Sequence, residues 1–301
     1  MIRSVCVVGA GAIGSLFAGH LAQVADVSVL TRRHEHAEAL ERDGLRVSGR
    51  SDVSATLRAA ADPSALQADL VILACKGVDL EAAATRLEGA FPGAAVVTVQ
   101  NGLGVEEVVR AHGDWPLISG VTFMSGTKHS DTHVEYILDT PTWLGPYGDT
   151  PYALVEEATA LIASSGLKAE AFEDLRPAQW SKLIFNATVN AVAALTGLPH
   201  DVHFAEGALG ELVHGLIDEG KAVAGAVGVT LREDPWEMNV HATRRGAAHF
   251  PSMLEDVEAR RPTEIDLITG ALVREAERAG VPVPLHVALY GLVKAREASY
   301  S

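Results

Sequence analysis

Within its first two dozen residues the chain commits itself to one kind of architecture. Residues 4–8, SVCVV, form a short apolar, β-branched run that reads as a buried strand. They pass directly into Gly9-Ala10-Gly11-Ala12-Ile13-Gly14, and SLFAGHLAQVA follows with helical periodicity. Strand, tight glycine turn, helix is the context in which G-x-G-x-x-G holds a dinucleotide. Gly9 permits the turn, Gly11 lets the backbone approach a pyrophosphate, and Gly14 allows close helix–strand packing. The helix N-terminus offers that anion unpaired N–H groups and a positive dipole end. With 28 glycines in 301 residues such a pattern arises by chance; its flanks make this one specific. Gly9, Gly11, Ala12, Ile13 and Gly14 are the candidate cofactor-binding loop.

The next strand is DVSVLTRR, Asp26 to Arg33. An NAD site expects an acid near its end to hold the ribose 2′-hydroxyl. That place holds Thr31, Arg32 and Arg33, and Asp26 lies at the wrong end of the strand. Guanidinium groups fit a 2′-phosphate, which points to NADP(H) with Arg32 as its ligand. Two solvated loop arginines would read the same way, except that the acid is missing too. Lys76, after the strand VILAC, is placed to add charge near the phosphates. Asn101 follows the strand AVVTVQ, at the carboxyl edge of the sheet where ligands collect. It faces nicotinamide or substrate, or it is simply the first residue of an Asn-Gly turn.

Strands and helices alternate up to about residue 174. Strands are expected at 4–8, 26–33, 45–49, 53–59, 70–75, 95–100, 118–123, 133–138, 142–144 and 167–172. Intervening helices are expected at 15–25, 36–42, 81–87, 105–111 and 151–165. This is an α/β pattern, a Rossmann-type doubly wound sheet with a late antiparallel addition. From 175 to 301 the chain reads as all-α, with helices over 177–195, 204–228, a less regular 233–260, 262–280 and 284–298. A net charge of −15 argues against nucleic acid or an anionic membrane as partner. Cys6 and Cys75 sit singly in strands, as core filling in a reducing cytoplasm rather than a disulfide framework. No apolar run approaches the ~20 residues that span a bilayer. His34/His36 and His200/His203 lack the companion ligands of a metal centre, so no metal is expected.

The helical half holds the most informative stretch, WSKLIFNATVNAVAAL, residues 180–195. Lys182, Asn186 and Asn190 are spaced i, i+4, i+8 and form one polar stripe on an otherwise apolar helix. A helix apolar nearly all round is buried. A buried ammonium and two amides cost several kcal/mol unless paired, a cost that makes sense in a pocket that holds and protonates a polar small molecule. A solvated stripe on a half-exposed helix is the alternative.

Taken together, VVGAGAIGSLFAGHLA, Lys76 after VILAC, VQNGLG, WSKLIFNATVNAVAAL, PSMLEDVEARRPTEIDLITGALV and VPVPLHVALYGLVKAREA resemble the ketopantoate reductases (2-dehydropantoate 2-reductases) over essentially the whole length. The resemblance implies a Rossmann domain (1–174), an all-helical catalytic domain (175–301), and NADPH meeting a small 2-oxo acid in pantothenate biosynthesis. Lys182 then resembles the catalytic lysine, and Asn186 and Asn190 its pocket amides. Asn101, Ser252 and Glu264 match further substrate-site positions, Glu264 alongside Lys182 in catalysis. Arg32 and Lys76 match the NADPH-binding basic residues, with Arg33 able to share the part of Arg32. In isolation, Thr263-Glu264 reads as a helix opening, and Ser252 as a helix N-cap. The family's Pro-Leu-Thr after the second asparagine is Ala-Val-Ala here, and His200 and His249 replace asparagines. A paralogue acting on another 2-oxo acid and a non-catalytic NADP(H) sensor are the competing readings. A homodimer is compatible with the sequence.

Overall fold

The computed structural model describes residues 1–244 and 250–300. The chain divides into two compact units, Met1–Gln100 with Val105–Leu175, and Asn101–Gly104 with Arg176–Ser301.

The first unit is built on β1 (Ser4–Val8), α1 (Ala12–Leu21), β2 (Asp26–Leu30), α2 (His34–Asp43), β3 (Leu45–Gly49), β4 (Val53–Ala55), β5 (Arg58–Ala60), β6 (Leu70–Leu73), α3 (Leu80–Arg86), β7 (Ala95–Thr98), α4 (Val105–Arg110), β8 (Leu117–Thr122), β9 (Ser125–Ser130), β10 (His133–Leu138), β11 (Thr142–Tyr147), α5 (Tyr152–Ser164) and β12 (Ala169–Ala171). Eight strands form one sheet in the order β12-β11-β8-β7-β6-β1-β2-β5. It is parallel throughout except where β11 runs antiparallel to β8. The central strands β1, β6 and β7 are mostly apolar and, apart from Ser4 at the start of β1, buried along their length, as strands covered on both faces must be.

Two expectations fail here. The single strand expected at 53–59 is two: β4 pairs with β3 and β5 pairs with β2, in different sheets. The strands at 45–49 and 133–138 also leave the main sheet. They form a second sheet, ordered β4-β3-β10-β9, in which β3 and β10 pair in parallel and β9, unforeseen, closes the edge.

The second unit centres on α6 (Arg176–Thr196), against which α7 (Gly207–Ala226), α8 (Pro235–Thr243), α9 (Ser252–Glu258), α10 (Thr269–Ala279) and α11 (Pro284–Ala298) all pack. Its core includes Trp180, Ile184, Val192, Phe204, Leu216, Leu254 and Leu272. Gly220 on α7 meets α6 so closely that a Cβ there would lie 2.6 Å from Ile184. The helix expected to begin at 262 begins at Thr269, and residues 264–268 wind as a turn. The backbone there is irregular: Gly270 N–H reaches back five residues to Ile265 O at 2.8 Å, and Leu267 O accepts from Leu103 N–H at 3.0 Å. Among the described residues no helix is long and apolar enough to cross a membrane.

Candidate active site

The glycine turn takes the form its sequence requires. Gly9 sits at φ +98°, and a Cβ there would lie 2.8 Å from the backbone N of Cys75. A Cβ on Gly14 would lie 1.9 Å from Gly9 O, so only glycine lets α1 press onto the turn. Gly11, the N-cap of α1, is different: nothing lies within 4 Å of where its Cβ would be. Ala12 and Ile13 open the helix, and no side chain caps it. Open space beside uncapped N–H groups is what a pyrophosphate needs, so these residues fit a dinucleotide.

At the end of β2, Arg32 points its guanidinium outward. Its side chain is 78% exposed, paired with exposed Asp79 at 3.2 Å. Such a pair contributes little, leaving Arg32 available to an anion. Arg33 differs: as N-cap of α2 it grips Asp131 at 2.7 and 2.8 Å. Lys76 is exposed beyond β6, at the N-cap of a short 3₁₀ turn. Gln100 is anchored by its amide, which donates to Leu73 O and Cys75 O at 2.9 and 3.1 Å.

In the second unit α6 carries Lys182 inward, 8% exposed, and Asn190 at 6%. The solvated-stripe alternative is thereby excluded. From Trp180 to Ala194 only Phe185 and Asn186 are not fully buried, so the helix opens at those two positions, one turn beyond Lys182. Burial pulls the Lys182 pKa from 10.5 down to about 8, against the opposing charge of Glu264. Desolvation therefore dominates, and the lysine remains largely protonated near neutral pH.

Glu264 sits half-buried in the turn before α10, where Asn101 Nδ2 donates to its Oε2 at 3.0 Å. The turn holds because Thr263 Oγ1 accepts from Ile265 N–H and Glu264 O accepts from Ile268 N–H. The segment bearing Asn101 is equally constrained. Gly102 adopts φ +102°, and a Cβ there would lie 2.0 Å from Leu267 O. Asn101 thus packs with the helical unit, although its strand-end position had suggested the sheet. Ser252 is exposed, the first residue of α9, whose N-cap is Pro251 rather than Ser252.

His200 is buried and belongs to a structural cluster. Its Nε2 donates to Asn239 Oδ1 at 2.8 Å, and Asn239 Nδ2 in turn donates to Phe204 O. The ring stands edge-on to Phe185 and Phe204. His249 lies outside the described residues. Among those described, no cluster of His, Cys, Asp and Glu could hold a metal ion.

Sequence reading missed the hairpin residues Lys128 and Asp131. Lys128 donates to Ala10 O of the glycine turn at 3.0 Å and to Asp131 at 3.1 Å. Nothing in the linear pattern marks them, because β9 is polar along its length.

Residues 5–149 match the family model of ketopantoate reductase PanE/ApbA, and residues 174–297 match that of its C-terminal domain. A 2-dehydropantoate 2-reductase of Halobacterium salinarum is 31% identical, covering 96% of this chain and 97% of its own. One from Pyrococcus horikoshii is 28% identical over 97% of both. Among solved structures, a PanE/ApbA family ketopantoate reductase from Ralstonia eutropha JMP134 superposes with TM-score 0.90 at 28% identity, covering 99% of each chain. A D-mandelate dehydrogenase bound to NADH and anilino(oxo)acetate superposes with TM-score 0.89 at 25% identity, also covering 99% of each. The chain belongs to the ketopantoate reductase family of NAD(P)H-dependent 2-oxo acid reductases.

Proposed function

We propose that this protein reduces 2-dehydropantoate to pantoate with NADPH, Lys182 acting as general acid. The observation that carries the reading is a buried lysine, its pKa drawn down to about 8, set against a carboxylate that Asn101 orients. The glycine turn would hold the pyrophosphate of the dinucleotide, whose reduced nicotinamide would supply the hydride. The rest falls to side chains of the chain. As negative charge grows on the ketone oxygen, the Lys182 ammonium stabilises it and delivers the proton, leaving a 2-hydroxy acid. A lysine at its ordinary pKa is a poor acid at neutral pH, and the apolar faces of α6 correct that. The negative charge of Glu264 opposes the depression, and its carboxylate is the acceptor suited to a substrate hydroxyl. Asn186, at the opening of α6, and Asn190 and Ser252 supply amide and hydroxyl donors for the carboxylate end. Arg32 and Lys76 supply charge for the cofactor phosphates, Arg32 for the 2′-phosphate.

A 2-oxo acid other than dehydropantoate is the second reading. It is favoured by the likeness to D-mandelate dehydrogenase. A non-catalytic sensor would have no use for Lys182, Asn101 and Glu264 together. The deciding experiment is NADPH oxidation with 2-dehydropantoate and with a 2-oxo acid of the same size lacking the terminal hydroxyl. A site that binds the hydroxyl favours dehydropantoate by factors up to about 10⁴, and Glu264→Gln shrinks that preference. Equal wild-type kcat/KM for the two substrates would instead support the second reading.

A further inference from the structure

The β2 strand end carries no acid of its own, but the fold delivers one. Asp131, at the turn between β9 and β10, lies 98 residues from Arg33 in sequence and meets its guanidinium through both carboxylate oxygens, at 2.7 and 2.8 Å. Lys128 Nζ approaches the same carboxylate at 3.1 Å while donating to Ala10 O in the glycine turn. His36 Nε2 donates to the backbone carbonyl of Asp131 at 2.9 Å, fixing the turn against α2. Burial alone would raise the Asp131 carboxyl, but the Arg33 and Lys128 hydrogen bonds outweigh it and hold the group below the usual carboxylate range. Burial and the neighbouring Lys128 ammonium lower the pKa of His36, which favours the neutral ring. The group therefore comprises two cations and one built-in anion, between the glycine turn and the N-terminus of α2. In a dinucleotide fold that is where the adenosine ribose and any 2′-phosphate lie.

We propose that Asp131 acts as an intramolecular competitor of the cofactor's 2′-phosphate for Arg33, and so sets how strongly the protein discriminates NADPH from NADH. A single terminal nitrogen of Arg33 donates to both carboxylate oxygens, and a phosphate would call on the same guanidinium donors. A 2′-phosphate must displace the carboxylate or share the guanidinium with it, and pays electrostatic repulsion in either case. NADH brings no such group and leaves the pair intact. The inference rests on the reading that this strand end receives the 2′-phosphate.

The test is direct binding to the full-length protein, with dissociation constants for NADPH and NADH and displacement by adenosine 2′,5′-bisphosphate. The proteins are wild type, Asp131→Asn, Arg33→Ala and the double variant, with Arg32→Ala as control. Asp131→Asn should tighten NADPH and the bisphosphate by roughly three- to tenfold and leave NADH unchanged. In the Arg33→Ala background the same substitution should do nothing, because the competition runs through Arg33. An unchanged NADPH affinity, a loss shared equally by both cofactors, or a change confined to NADH would overturn the proposal; the last would make Asp131 a ribose ligand. If wild type and Arg32→Ala both bind NADPH no better than NADH, the 2′-phosphate reading itself fails, a distinct outcome.

Discussion

Replacing Lys182 by methionine should make the protein more stable and nearly inactive. Moving an ammonium's pKa from 10.5 to about 8 costs the folded state about 3 kcal/mol at neutral pH. The sign follows from proton binding. Between pH 8 and 10.5 the unfolded chain holds more protons at this position than the folded one, so wild-type stability gains from rising pH there. The penalty is complete below pH 8 and gone above 10.5. Methionine keeps the packing of the lysine stem and carries no charge. Lys182→Met should therefore gain about 2–3 kcal/mol at pH 7, with the difference from wild type closing as pH approaches 10.5. Urea unfolding at pH 7, 8, 9 and 10, followed by fluorescence of Trp180 and Trp236 in the helical unit, measures this. Turnover should fall by roughly 10²–10⁴-fold. A variant no more stable than wild type at pH 7, or a stability difference independent of pH, would refute the claim that desolvation tunes this lysine.

Wild-type kcat should decline as pH rises through about 8, as Lys182 loses the proton it must donate; a profile flat to pH 9.5 contradicts that role. Gly11→Ala and Gly14→Ala should separate. The first meets open space and should leave the melting temperature unchanged while weakening both cofactors at least tenfold. The second drives a methyl into Gly9 O and should lower the melting temperature by several degrees; matched effects in both assays would count against the geometry of the turn. Arg32→Ala should weaken NADPH about ten- to hundredfold and spare NADH, as read by titration calorimetry.

What the sequence revealed was local chemistry. The glycine turn is legible because its steric demands fall on six consecutive residues. The burial of Lys182 and Asn190 is legible because α6 has no polar face besides their stripe. Non-local pairing was not legible. β3 and β10 join across more than eighty residues, and β9, SGTKHS, carries no apolar alternation, none of its residues being fully buried. Asp131 carried no local mark for the same reason: its importance arises from a partner 98 positions away. Glu264 was placed in a helix because Thr-Glu before an apolar run has the composition of a first turn. The backbone of residues 101–104 meets the chain there, Leu103 N–H donating to Leu267 O, and that contact comes from more than 160 positions away.

That intervening segment has a bearing on how the protein can be taken apart. The helical unit is not a contiguous stretch of the gene: it borrows Asn101–Gly104 from the middle of the other half. A fragment beginning at residue 176 would lose the Leu103 side chain from its core and the donor that satisfies Leu267 O. It would also lose the amide that orients Glu264. Domain exchange between relatives at the obvious junction near 175 would mate one parent's Asn101 loop with another's α10 turn. Chimeras that carry the loop together with the helices should keep the carboxylate in place, whereas those cut only at the junction inherit a mismatched pair.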